Sequence, residues 1–270
     1  MIIERLGEVI NSRSVPNHIP SNNINGPTVF QRPSFFPEGP KWLMYFSHHK
    51  GLNIRQATSD SLEGPWTVLG ETVLELGKTP GHDHLASPEV VLKEGELELY
   101  YHTPYQDWQY TFKASTTDGI NWSYDSEPKG MFYLRFLEQD YALAKYKNSS
   151  AVLYKCKDGQ PQEIKRILPN MRHCAYHDGM LYWTEIGAAP ESIYRAKFNY
   201  TTLDVYNVQQ VLVPTEDFET GRYPVTPSRS GAATRVNQVR DPFVISDETG
   251  TYLFYTVRGE EAIAVARIKE

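Results

Sequence analysis

The sequence predicts an all-β protein, a five-bladed β-propeller whose four-stranded antiparallel blades surround a central channel. Long helical patterns are nearly absent from its 270 residues. Short apolar runs rich in Tyr and Phe instead alternate with turns of Gly, Asp, Asn or Pro, which is typical of antiparallel strands. This pattern recurs about every 40 to 45 residues, the length of a four-stranded propeller blade.

The repeats predict five blades within a single domain of residues 1–270. The strand patterns NGPTVF, KWLMYF, NIRQATS and WTVLG of the first repeat align with SPEVVL, LELYYHT, TFKASTT and NWSYDS of the second. The predicted blades span about 25–69, 86–126, 130–166, 171–211 and 237–269. Because the last repeat has only three strand patterns, we expect the N-terminal ERLGEVI to supply its fourth strand and close the ring.

The composition argues against several classes of partner. A net charge of -6 and a pI of about 5.8 favour neither nucleic acid nor an anionic membrane, so neither partner is expected. The two cysteines, Cys156 and Cys174, make neither a disulfide framework nor a cysteine zinc cluster. No signal-peptide pattern and no apolar run of membrane-spanning length is visible, which indicates a cytoplasmic location.

The openings of the predicted inner strands, NGPTVF, SPEVVL and RDPFVI, resemble the five-bladed propellers of glycoside hydrolase families 43 and 32. The strings HHKGLNIR, DHLASPEV, NMRHCA and NQVRDPFV together resemble an uncharacterised group of glycoside hydrolase-like bacterial propellers. The resemblance covers essentially the whole chain at the level of the blade pattern. It implies a carbohydrate ligand and an enzyme, a glycosidase, that cleaves a glycosidic bond in an oligosaccharide or glycoside at the mouth of the channel.

The sequence departs from family 43 at the catalytic positions. The resemblance implies an Asp base in the first blade, a pKa-tuning Asp in the second and a Glu acid in the third. Asn25 and Ser87 stand at the first two openings instead, and the third blade has no Glu in a matching position. The usual mechanism with two carboxylates therefore does not carry over directly.

Inner strands begin near one rim of a propeller channel, so residues at their openings should converge on a common cavity. Imidazole transfers protons near neutral pH, so a histidine is able to replace the missing acid. The predicted catalytic residues are the carboxylates Asp83, Asp241 and Glu89 and the histidines His84 and His173. The predicted substrate-binding residues are Asn25, His49, Arg135, Arg172, Gln238 and Arg240, with His48 as an alternative to His49 and Glu185 as a further acid candidate.

Several alternatives stay open at this point. The carboxylates Asp83 and Asp241 would serve a structural role if they pair with Arg240 or cap a strand end. No cofactor is predicted, although the histidines with Asp83 or Glu89 offer ligands for a divalent metal. The planar arginine side chains suit the carboxylate of an acidic sugar, which favours a polysaccharide lyase, unless they pair with carboxylates of the channel. A noncatalytic carbohydrate-binding propeller is the third possibility.

Overall fold

The computed structural model describes residues 1–16, 23–157, 160–229 and 235–269. Within these ranges the chain forms 21 β-strands in five antiparallel sheets arranged as a ring, together with two short helices. The predicted fold class, a five-bladed β-propeller, is confirmed.

The first two blades follow an N-terminal strand, β1 (Ile2–Ile10). Blade one contains β2 (Asn25–Gln31), β3 (Trp42–Ser47), β4 (Asn53–Ser59) and β5 (Thr67–Glu75), followed by a 3-10 helix (Leu76–Lys78). Blade two contains β6 (Ala86–Lys93), β7 (Glu96–Tyr105) and β8 (Trp108–Thr116). Two short strands, β9 (Ser123–Tyr124) and β10 (Gly130–Met131), both pair with β8.

The remaining blades complete the ring. Blade three contains β11 (Arg135–Phe136), β12 (Tyr141–Tyr146), β13 (Ser150–Lys157) and β14 (Gln160–Pro169). Blade four contains β15 (Met171–His177), β16 (Met180–Glu185), β17 (Ile193–Asn199) and β18 (Asp204–Leu212), and helix α1 (Asp217–Thr220) follows. Blade five contains β19 (Val239–Asp247), β20 (Gly250–Val257) and β21 (Ala262–Lys269). Neither helix among the described residues has the length and apolar character needed to cross a membrane.

The two ends of the chain meet in blade five. Strand β1 runs antiparallel to β21, with Ile2 opposite Lys269 and Ile10 opposite Ile263. The N-terminal strand is therefore the outermost strand of a blade whose other three strands are C-terminal. Strand β10, which lies where the sequence pattern begins the third blade, pairs with blade two instead. The inner strand of blade three is consequently the short β11.

The hydrophobic core consists of five clusters, each shared by two adjacent blades. Successive side chains of a strand point to opposite faces of its sheet, so each blade contributes to two clusters. On β3, Trp42, Met44 and Phe46 pack towards blade five, whereas Leu43 and Tyr45 pack towards blade two. This apolar packing on both faces fixes the position of each inner strand around the channel.

The inner strands share an irregularity close to their first residues. Register shifts occur between Asn25 and Thr28, Ala86 and Glu89, Met171 and Cys174, and Arg240 and Phe243. In three of them a residue directly before a proline has a left-handed backbone: Gly26 (φ 59°), Ser87 (φ 50°) and Asp241 (φ 49°). A β-bulge redirects the side chains beside it. The repeated bulges therefore turn the strand openings towards the channel.

Candidate functional site

A cavity of about 620 Å³ is lined by residues of all five blades. Five of the eight histidines of the protein line it. A smaller space, lined by residues at the start of the five inner strands, adjoins the cavity, and Ser87, His173 and Asp241 line both. The cavity therefore lies where the bulged strand openings converge.

Asp241 and His173 form a buried pair between blades five and four. Asp241 Oδ1 is in direct contact with His173 Nδ1. Asp241 Oδ2 accepts hydrogen bonds from Thr256 Oγ1 at 3.0 Å and from the backbone nitrogen of Gly26 at 3.3 Å. Burial raises the pKa of Asp241, but the contact with His173 and the charge of Arg240 outweigh it and hold that pKa below its ordinary value. Asp241 is therefore an ionised carboxylate at neutral pH.

The imidazole of His173 is buried beside this carboxylate. Burial lowers the pKa of His173, although Asp241 opposes the shift. A neutral ring whose Nδ1 hydrogen is held by Asp241 leaves Nε2 as a proton acceptor. The pair thus has the form of a proton-accepting histidine oriented by a carboxylate.

A second pair of the same residue types, Asp83 and His84, lines the same cavity from the segment that leads into β6. His84 Nδ1 lies 2.9 Å from Asp83 Oδ2. The hydrogen bond with His84 lowers the pKa of Asp83. The His84 ring is buried, whereas 49% of the Asp83 side chain is exposed. The carboxylate of this pair therefore lies in solvent at the rim of the cavity.

A row of aromatic rings connects the two pairs. The ring centroids of His84 and His102 are 5.7 Å apart, those of His102 and Tyr133 are 4.5 Å apart, and those of Tyr133 and His173 are 4.1 Å apart. Each contact is edge-to-face, a favourable arrangement for aromatic rings. Burial places the pKa of His102 well below its ordinary value and raises that of Tyr133, so both rings are neutral near pH 7.

Two of the predicted arginines belong to a buried ion-pair network. Arg240 donates from Nε to Glu191 Oε2 at 3.1 Å and from Nη1 to Glu260 Oε1 at 3.1 Å. Arg172 donates from Nε to Glu191 Oε1 at 2.7 Å and from Nη2 to the carbonyl oxygen of Ser228 at 2.5 Å. Arg172 still lines the cavity, but Arg240 does not. Glu191 therefore links the two guanidinium groups and fixes them in the wall of the cavity.

Three other predicted site residues lie outside the main cavity. Arg135 lines the smaller space, and its Nε is 3.4 Å from Glu89 Oε2. Burial raises the pKa of Glu89, although the charge of Arg135 opposes the shift. Gln238 is fully buried, and its Oε1 accepts a hydrogen bond from Arg240 Nη2 at 2.5 Å. Neither Glu89 nor Gln238 lines either space.

The blade-one residues have different surroundings. Asn25 lines the cavity, donates from Nδ2 to Glu260 Oε2 at 2.8 Å and accepts from Ser47 Oγ at 2.6 Å. His49 also lines the cavity, with its ring 6.5 Å from that of His84, and burial lowers its pKa. His48 is outside the cavity lining. Glu185, the further acid candidate, is also outside it and accepts a hydrogen bond from the Trp183 indole at 3.2 Å.

The sequence analysis missed several residues of the cavity and its wall, namely His102, Tyr133, Lys145, Glu191 and Glu260. His102, Lys145 and Glu260 lie near the ends of the second strands of their blades, the kind of position that singled out His49. Applying that criterion to every blade would have found them. Tyr133 and Glu191 lie between strands and carry no comparable signal.

Within the described ranges, no group of three or more His, Cys, Asp or Glu side chains is arranged to hold a metal ion. The cluster of five histidines that lines the cavity is instead spread along the ring row and the rim.

Known proteins with a similar sequence or fold include glycoside hydrolases. No family model matches the chain. An uncharacterised protein of Acanthamoeba polyphaga mimivirus is 28% identical to it over 303 aligned positions, covering 91% of this chain and 83% of the viral protein. The probable arabinan endo-1,5-α-L-arabinosidase A of Aspergillus fumigatus is 28% identical over 197 positions, covering 69% of this chain. The match spans 50% of that arabinosidase, so the chain corresponds to about half of it.

Among solved structures, a β-xylosidase/α-arabinofuranosidase of glycoside hydrolase family 43 from a compost microbial metagenome superposes with a TM-score of 0.63. The superposition covers 100% of this chain and 96% of that enzyme, at 12% sequence identity. The chain shares its fold with family 43. At this identity the likeness concerns the fold alone, and the catalytic chemistry has to be argued from the side chains in the cavity.

Proposed function

We propose that the protein is a glycoside hydrolase-like enzyme that cleaves a glycosidic bond of an oligosaccharide or glycoside bound in the cavity. The observation that carries this proposal is the presence of two Asp–His pairs, Asp241–His173 and Asp83–His84, in the lining of one cavity. The shared fold and the similarity to an arabinosidase support the reaction class.

In the proposed reaction His173 is the base. Its Nδ1 is held by Asp241, so Nε2 accepts a proton from a water molecule that attacks the anomeric carbon. The imidazolium that forms is stabilised by the ionised Asp241, which does not itself take the proton. Burial favours the neutral form of the His173 ring before the reaction, which is the form that a base requires.

His84 is proposed as the acid, at the other end of the ring row. The bond between the anomeric carbon and the glycosidic oxygen breaks, and that oxygen receives a proton from His84. The Asp83 carboxylate lies 2.9 Å from Nδ1 of His84 and so orients the imidazole ring. One proton is thus lost by water and one gained by the leaving group, so the step balances.

A reaction that uses two carboxylates, as in most glycosidases, is not the one we propose. Asn25 and Ser87 occupy the openings where family 43 implies carboxylates, and the amide of Asn25 is already bonded to Glu260 and Ser47. Nor do we propose that the arginines hold a substrate carboxylate, as the lyase hypothesis requires. Each has a glutamate partner: Glu89 for Arg135, Glu191 for Arg172, and both Glu191 and Glu260 for Arg240.

The test is an activity screen on 4-nitrophenyl α-L-arabinofuranoside, 4-nitrophenyl β-D-xyloside and arabinan and xylan oligosaccharides, with products followed by NMR. His173→Gln should lower kcat by about 10²-fold or more, the usual contribution of a general base. His177→Gln is the matched control, because His177 lies on the same strand but outside the cavity, with Nε2 2.8 Å from Ser246 Oγ.

Each alternative has its own outcome in this screen. Equal activity of His173→Gln and the wild type would remove His173 from the mechanism. Unsaturated products would identify a lyase. Saturable binding of an oligosaccharide with no turnover would identify a noncatalytic carbohydrate-binding propeller.

A further inference from the structure

Lys145 is a buried lysine in the cavity wall that forms no ion pair with any carboxylate in the part of the chain that the structure describes. It lies on β12, lines the cavity and is only 4% exposed. Within the described ranges, no carboxylate and no hydrogen-bond acceptor is bonded to its Nζ. The ammonium group instead lies 5.2 Å from the ring centroid of Phe132 and 5.6 Å from that of Tyr133. Lysine is almost never fully buried without a partner, so this side chain is unusual.

The charged and titratable groups near Lys145 do not supply that partner. They are His102 on β7, Tyr133 before β11, Arg172 and His173 on β15, Glu191 before β17, and Arg240 and Asp241 on β19. Of the two carboxylates in this set, Asp241 is bound to His173, and Glu191 is bound to both arginines. Burial, reinforced by the charge of Arg172, lowers the pKa of Lys145 to about 7.

We propose that the cavity recognises an acidic sugar, a uronide, whose carboxylate is bound by Lys145. This inference rests on the proposed function, in that the ligand is taken to be a glycoside. The carboxylate would provide the counter-ion that the described residues do not supply, in a largely buried site where charges are screened less than in water. Arg172 also lines the cavity, but its charge is paired with Glu191, which leaves Lys145 as the group proposed to bind the carboxylate.

A contact between Lys145 and a carboxylate predicts that the affinity for a uronide depends on pH. A carboxylate binds the ammonium form of Lys145 and raises the pKa of that group, so binding takes up a proton when the free lysine is partly neutral. The affinity for a uronide should therefore be constant below the free pKa and fall as the pH rises above about 7. His102, His173 and His49 have lowered pKa values and Asp241 stays ionised, so none of them produces a loss of affinity in this direction. His84 also lines the cavity, and the Lys145→Arg variant distinguishes it from Lys145, because that variant abolishes only the pH dependence that comes from Lys145.

The experiment is isothermal titration calorimetry with sugars that differ only at C6. The probes are methyl glucuronide against methyl glucoside and methyl galacturonide against methyl galactoside, together with acidic and neutral xylan oligosaccharides. At about pH 6 at least one acidic member should bind tenfold or more tightly than its neutral partner, the value of one charge-assisted contact. This preference should decrease as the pH is raised to about 8.5, by up to roughly tenfold per unit.

Variants at Lys145 distinguish the effect of its charge on uronide binding from the effect of the shape of the cavity. Lys145→Gln should remove the preference for the acidic sugar and its pH dependence, with little change for the neutral sugar. Lys145→Arg should keep part of the preference but lose the pH dependence, because arginine stays charged across this range. Lys157→Gln is the control, since Lys157 is an exposed lysine on the adjacent strand β13.

The outcomes distinguish this inference from the proposed function. Preferential binding of a neutral sugar that the enzyme hydrolyses would overturn the assignment of an acidic substrate and leave glycoside hydrolysis standing. Binding of a uronide that depends on Lys145, without hydrolysis of any glycoside in the screen, would support the inference and overturn the proposed hydrolysis. Equal uronide affinity in the wild type and Lys145→Gln would overturn the role of Lys145.

Discussion

The two Asp–His pairs of the cavity have the same composition but different surroundings. The side chain of Asp241 is 4% exposed and contacts His173, Thr256 and Gly26, whereas that of Asp83 is 49% exposed and contacts His84. Buried charges interact strongly because little water screens them, and exposed ones interact weakly. The comparison teaches that burial, rather than the identity of the residues, decides how firmly each histidine is held.

The backbone does not account for this difference. Asp83 and Asp241 both have left-handed backbones, with φ values of 70° and 49°. Aspartate tolerates this conformation better than most residues with a Cβ atom. What differs is the element: Asp241 lies in the bulge of an inner strand, and Asp83 lies in the segment between two blades. We therefore expect substitutions at the two carboxylates to differ strongly in effect.

The largest expected effect is that of Asp241→Asn on catalysis. The amide preserves the shape of the side chain but removes the charge that orients and stabilises the imidazolium of His173. We expect kcat/KM to fall by about 10²-fold or more, as for His173→Gln, because Asp241 acts through His173. The measurement is steady-state hydrolysis of the best substrate in the screen, with circular dichroism to establish that the variant is folded. Activity within threefold of the wild type would show that the buried pair has no catalytic role.

The second effect concerns the contribution of the buried ion-pair network around Glu191 to the stability of the protein. Glu191→Gln removes the carboxylate charge shared by Arg172 and Arg240, and should lower the free energy of unfolding by about 3 kcal/mol. The control is Glu163→Gln, which breaks an exposed pair with Arg166 and should cost at most about 0.5 kcal/mol. Urea unfolding measures both. Equal losses would mean that burial does not strengthen this network.

The third effect is on acid stability. A carboxylate whose pKa is lowered by folding stabilises the protein fully above its unfolded pKa of about 3.9, and this contribution is lost as the pH falls through the folded value. Asp241→Asn should therefore flatten the decline of the urea midpoint between about pH 4 and pH 2. Asp83→Asn changes the same slope in the same direction but by less, since solvent screens that group. A greater flattening by Asp83→Asn would contradict the comparison.

The smallest effect is expected for Asp83→Asn in catalysis. The exposed carboxylate contributes one hydrogen bond to His84, so kcat/KM should fall by less than about tenfold. The loss should also be greater at low than at high salt, because ions screen exposed charges. Kinetic assays at two salt concentrations test this. A loss as large as that of Asp241→Asn would show that the rim closes over Asp83 when substrate binds.

Site positions that recur along the chain are predictable from the sequence, whereas contacts between residues distant in the sequence are not. The recurrence of inner-strand openings along the chain predicts Asp241, His173, Asp83 and His84 as site residues, and in the structure all four line the cavity. The sequence does not indicate which carboxylates pair with the arginines, because the partners are far apart along the chain. Arg240, for example, pairs with Glu191, which is 49 residues away. Glu89 and Gln238 occupy positions near strand openings, but neither lines the cavity.

The sequence is sufficient to predict the five-bladed architecture, because the alternation of apolar residues and the spacing of turns are local properties that fix which face of each strand is buried. It also determined which strand openings carry histidine and aspartate. Only the tertiary structure decided which carboxylate meets which cation, since those contacts join different blades or distant loops. The clearest case is Lys145, which forms no ion pair among the described residues because Asp241 and Glu191 are already bound elsewhere, and no local pattern in the sequence records that.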